Sequence, residues 1–239
     1  MSVRLGFAEG PGGDGAAEAE LAAFLGRLVR WDRAAVVRLR SAAEEPALGV
    51  FGQPPFGGVL AVKSMALRGG GIGEAVDATV SAGELLEAVA EAAQGGEFGV
   101  PRSVTGPAWA GLLPPRGGWR REAEFEGAAV RELAARVVAE FRARTEALVP
   151  ERRTRAELDG LAEELWRRPL PVDRAGTGGT AVTLRSVHAA HALGFLSAQG
   201  RDDTVAVLSA GAWVRLRTAY GSVATRGASA GAGLTVSPA

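Results

Sequence analysis

Cysteine and asparagine are absent from this chain of 239 residues, and lysine, isoleucine and tyrosine occur once each, as Lys63, Ile72 and Tyr220. Without cysteine there is no disulfide, thiolate nucleophile, iron–sulfur cluster or cysteine-based zinc site, a composition that fits a reducing, cytoplasmic setting. Asparagine, lysine, isoleucine and tyrosine share AT-rich codons, so their scarcity points to a bacterial genome of high GC content. The excess of arginine is then a codon effect rather than a signature of nucleic-acid recognition.

No stretch approaches the ~20 apolar residues of a membrane-spanning helix, and the first residues lack the apolar core of an export signal. A soluble protein with no membrane partner is expected. The usual chemical motifs are missing too. The glycine run over 9–15 has neither the P-loop nor the dinucleotide spacing, and no GxSxG nucleophile elbow occurs. No cofactor is expected.

Two features divide the chain. Net charge is zero, but residues 1–115 hold 9 basic and 13 acidic side chains, whereas residues 116–239 hold 18 and 14. The second is the stretch from Trp109 to Trp119, WAGLLPPRGGW, in which two prolines fix the backbone, two glycines loosen it and Arg116 stands near large rings.

Residues 1–108 read as a strand-rich α+β half. Leu21, Phe24, Leu25, Leu28 and Val29 recur at helical spacing, which predicts a helix over 18–30. Alternation predicts strands over 36–40, 48–51, 59–67 and 76–80, with 59–67 central and buried on both faces, and with Asp77 and Thr79 turned outward. Ser81 and Glu84 form a capping box that opens a helix ending near Gly95. The helices are expected to cover one face of a mostly antiparallel sheet.

Residues 120–226 read as three helices and a terminal β-hairpin. Val130, Leu133, Ala134, Val137, Val138 and Phe141 make the strongest apolar stripe, predicting a helix over 122–147. Thr154 and Glu157 cap a second helix that stops at Pro169, and a third, apolar on most sides, is expected over 184–198. Strands follow at 205–208 and 212–217, with a third possible at 220–226. Residues 227–239 have the composition of a disordered tail. VVRLR at 36–40 is echoed by WVRLR at 213–217, which the arginine- and valine-rich composition accounts for. Whether the halves are two domains or share one sheet is left open by the sequence.

Three sets of residues are candidates for function. Trp109, Arg116 and Trp119 either form an aromatic–guanidinium site for a small anionic ligand or a partner protein, or clamp the two halves together structurally. His188 and His191, the two histidines, are spaced i, i+3 on a helix and so lie near one face, where they could contribute to a metal site or simply pack. Three helices followed by a hairpin also give the element order of a winged helix, but the helix that would enter the groove offers Arg185 as its permanent charge, which disfavours nucleic acid. The residues point first to a non-enzymatic binding or interaction module. A winged-helix-like regulator and a ligand-binding enzyme with its site at the junction are the alternatives.

Overall fold

The computed structural model describes residues 3–9, 12–43, 45–70, 74–92, 96–170, 181–197 and 203–227. Among them are ten strands and five α-helices, an α+β fold in which every strand pairing is antiparallel. The first half runs β1 (Arg4–Leu5), α1 (Ala16–Trp31), β2 (Val36–Ser41), β3 (Ala47–Gly52), β4 (Val59–Ala66), β5 (Val76–Ser81), α2 (Ala82–Glu91) and β6 (Phe98–Gly99). The second runs β7 (Arg120–Glu126), α3 (Gly127–Glu146), α4 (Arg155–Arg167), α5 (Leu184–Ala192), β8 (Thr204–Ala210), β9 (Trp213–Thr218) and β10 (Gly221–Arg226).

Eight strands form one sheet in the order β5-β2-β3-β4-β10-β9-β8-β7, while β1 and β6 pair separately. The halves are joined where β10 pairs with β4, from Ser222 opposite Val62 to Thr225 opposite Val59. β4 is thus central, as its apolar run requires. The 109–119 stretch is not where the halves make their main contact.

Alternation gives the sheet two unlike faces. Val37, Leu39, Leu48, Val50, Val59, Ala61, Met65, Val214, Leu216 and Val223 join one core with Phe24, Leu25 and Leu28 of α1, Leu85 and Val89 of α2, Val130 of α3, Leu165 of α4 and Val187 of α5. All five helices therefore contribute to one side. The N-cap bond of each expected capping box forms: Ser81 Oγ accepts the Glu84 N–H at 3.3 Å, and Thr154 Oγ1 accepts that of Glu157 at 3.4 Å.

Several expectations are corrected. The helix expected from Glu122 starts at Gly127, because residues 120–126 form the edge strand β7 against β8. Ala123 and Phe125 pack on the core while Glu122, Glu124 and Glu126 are exposed, a period of two that acidic side chains at a helix start can mimic. The helix expected to reach residue 198 stops at Ala192, since Gly194 adopts φ 73° and its N–H bonds the His191 carbonyl. The third strand offered at 220–226 does form, as β10, and extends the terminal hairpin to a three-stranded meander, β8-β9-β10. Thr79 turns with Asp77 to the face away from the helices, as expected, but it is buried there because Gly106 lies against its side chain. The expected tail, apart from Gly227, and most of the long connection before α5 lie outside the described residues.

Candidate functional site

The connection between the halves has a long way to travel. After α2 and β6 it starts beside β5 at one edge of the sheet, where Ser103 bridges Val80, and must reach β7 at the other, seven inter-strand spacings or ~34 Å away. It does so across the face that carries no helix. The Val104 N–H bonds the Thr79 carbonyl at 2.8 Å, Ala110 is buried in a short 3-10 turn, and Pro114 is buried against the sheet. Proline suits a segment that crosses strands rather than joining them, since it has no N–H to leave unpaired.

Beneath this strap is a cavity of about 130 Å³. Its floor is the helix-free face of the central strands, with Gly49, Phe51, Val62 and Ser64; Pro114 and Pro115 flank it. Three guanidinium groups converge there: Arg40 from β2, Arg215 from β9 and Arg116 from the strap. Arg40 and Arg215 alternate with core residues Leu39, Val214 and Leu216, so the pleat turns them to this face.

The charges are incompletely answered. Arg116 Nη1 lies 3.2 Å from Glu45 Oε2, and both side chains are about half exposed. Arg40 Nε is 3.5 Å from Asp77 Oδ1 and buried without a hydrogen-bond partner. Arg215 Nε donates to Ser222 Oγ at 2.7 Å, and its guanidinium lies 5.5 Å from the centre of the Trp119 ring. Burial, and then the neighbouring Arg217 charge, pull the Arg215 pKa below its ordinary value. Among the described residues Glu45 is the carboxylate lining the cavity, against three arginines.

The predicted trio is therefore only partly brought together. Arg116 lines the cavity; Trp119 reaches it through Arg215, with its Nε1 donating to the Pro115 carbonyl at 2.9 Å. Trp109, half-buried in the 3-10 turn, does not line it. Sequence reading missed Arg40 and Arg215. Their signal was the alternation within VVRLR and WVRLR, since both segments are strands whose arginines turn away from the core residues Val37, Leu39, Val214 and Leu216.

The histidines diverge. His188 stacks 5.4 Å from Trp166 and meets the edge of Phe56 at 5.2 Å, in an aromatic cluster extended by Trp31. Burial, and then the nearby His191, lower the His188 pKa, and its Nδ1 is buried without a partner. His191 is exposed and faces a cleft on the helix side instead. No group of three His, Asp or Glu side chains suited to a metal occurs among the described residues. Nor is any of their helices long and apolar enough to cross a membrane. α5, the helix a winged-helix reading would put into a groove, is buried along most of its length.

Two family models match the chain, each described as a domain of unknown function: DUF8010 over residues 12–111 and DUF8185 over residues 114–230. No curated protein matches it. Among solved structures the fold is similar to bacterial sliding clamps. The Bartonella birtlesii DnaN sliding clamp, DNA polymerase III subunit beta, aligns with a TM-score of 0.54 at 11% identity, covering 95% of this chain and 65% of the clamp. The Pseudomonas aeruginosa beta subunit gives 0.52 at 12%, covering 95% and 64%, and Caulobacter crescentus pol III beta gives 0.51 at 15%, covering 95% and 65%. The chain thus spans slightly less than two thirds of these clamps.

Proposed function

We propose that the protein is a non-enzymatic interaction module that holds an acidic segment of a partner protein against the strap joining its two halves. The observation that carries this reading is the convergence of Arg40, Arg116 and Arg215 on one small cavity lined by a single carboxylate, Glu45, among the described residues. Arginine offers a planar fork of donors for carboxylates, and of the three it is Arg215, held by Ser222 and Trp119, that has no carboxylate partner among the described residues, so the cavity favours an acidic side chain. Phe51, Val62 and the prolines give apolar contact beside the charge, the mixture found at protein interfaces.

The likeness to sliding clamps supports a scaffold rather than an enzyme; the Bartonella birtlesii clamp is known bound to griselimycin. Nucleic acid is the less favoured partner. α5 is buried, and α2 turns Glu84, Glu87 and Glu91 to solvent, charges that repel phosphate.

The test is recovery of partners from the native host with tagged wild type, Arg116→Glu and, as a control on the outer face of α3, Arg136→Glu. A partner retained by wild type and Arg136→Glu but lost from Arg116→Glu is expected. A set of partners indifferent to Arg116→Glu, or binding of a small anion with no protein partner, contradicts the proposal.

A further inference from the structure

Lys63 stands where the sheet calls for an apolar residue. It shares the helix-side face of β4 with Val59, Ala61 and Met65, all of which belong to the core. Its side chain is 6% exposed. Nζ donates to Glu20 Oε2 at 2.8 Å and to the Tyr220 carbonyl at 2.9 Å. A buried ion pair is at best a weak source of stability compared with apolar packing, and departures of this kind from the local pattern concentrate at functional sites.

What Lys63 faces is a cavity of about 380 Å³, set where α1 meets the end of α5 and the β9–β10 turn. Phe24 and Arg27 come from α1, His191 and Phe195 from the end of α5, and Tyr220 from the turn, so both halves build it. Phe24 and Phe195 stack at 5.7 Å as an aromatic wall. Two glycines permit this shape. Gly194, at φ 73°, lets the Arg27 guanidinium lie across it, where a Cβ would come within 2.7 Å. Gly221, at φ 155°, leaves room for the Phe195 ring, which a Cβ would also meet at 2.7 Å.

The charges do not cancel. Glu20 answers Lys63, whereas Arg27 donates to its own helix at the Ala23 carbonyl, 2.9 Å away, and meets no carboxylate among the described residues. The exposed imidazole of His191 adds a polar group without negative charge. An aromatic wall, a guanidinium with no carboxylate partner among the described residues and a volume in the range of small-molecule sites point to one class of ligand.

We infer that this helix-side cavity binds a small organic monoanion, an aryl or short-chain carboxylate or sulfonate, with the anion on Arg27 and the apolar body against Phe24 and Phe195. The site lies on the opposite face of β4 from the strap and is independent of the partner reading above.

The probe is 8-anilinonaphthalene-1-sulfonate, titrated onto the folded protein by fluorescence and calorimetry. One saturable site is expected. Arg27→Gln should weaken it about tenfold or more, the effect of losing one charge-assisted hydrogen bond. Ala23→Trp, a change at an exposed lining position of α1, should block it while leaving the melting temperature close to that of wild type. Arg116→Gln should have no effect. No saturable binding by wild type, binding indifferent to both α1 variants, or binding removed by Arg116→Gln and spared by Arg27→Gln would overturn the inference.

Discussion

Successive residues of β4 meet opposite surroundings. Val62 and Ser64 floor a cavity roofed by a single crossing segment, while Lys63 between them points into a core to which all five helices contribute. The helix side is thick, apolar and aromatic. The strap side is one layer of chain, proline-fixed and rich in arginine. Stability is expected to come mainly from the first and partner recognition from the second, because buried apolar area scales with the number of packed layers.

The largest effect that would test this division is on the helix side. Phe24 is 1% exposed, and Phe24→Ala should lower unfolding free energy by about 3–5 kcal/mol in a urea titration. Trp119 is a larger ring, but it is only partly buried, against Arg215 and its own strap. Trp119→Ala should therefore cost less, about 1–2 kcal/mol. If Trp119→Ala matches Phe24→Ala, the strap is part of the core and the contrast fails.

The helix side should also be the more acid-sensitive of the two. Arg144, through a paired hydrogen bond at 2.7 and 2.8 Å, and then Arg168 hold the Glu164 carboxyl at a pKa of about 2, against an ordinary value of 4.5. A folded-state pKa lowered in this way means that the unfolded chain binds the proton first. The contribution is present above pH 4.5 and is lost as pH falls toward 2. The melting temperature should fall through that window in wild type and more shallowly in Glu164→Gln. The smallest effect belongs to Arg116→Ala, which removes one exposed ion pair and should change stability by no more than ~0.5 kcal/mol while weakening partner binding.

Much of this fold was legible in the sequence, because the relevant signals are local. The stripe at Leu21, Phe24, Leu25 and Leu28, the alternation in β2 and the Ser81 and Thr154 caps each act within a few residues, and each appears in the structure. β7 was misread because its identity as a strand depends on a partner, β8, some eighty residues later. The end of α5 was misread for a different reason: Gly194 acts through a left-handed backbone that composition alone does not mark. The candidate site was legible in part. Arg116 stood out by its setting among prolines and tryptophans, whereas Arg40 and Arg215 become neighbours of that residue only because β4 and β10 pair and bring two distant strands under one strap. Lys63 was visible as the single lysine but read as codon bias, since neither its inward direction nor Glu20 opposite could be inferred from spacing.

The most direct measurement is site-specific photo-crosslinking in the native host, with p-benzoylphenylalanine at position 112, where Leu112 is 48% exposed on the strap, and at position 132 on the outer face of α3 as the reference. A discrete crosslinked partner from position 112, absent from position 132 and abolished by adding Arg40→Glu, is the predicted result. Equal crosslinking from both positions, or none from position 112, would contradict the assignment of partner recognition to the strap face.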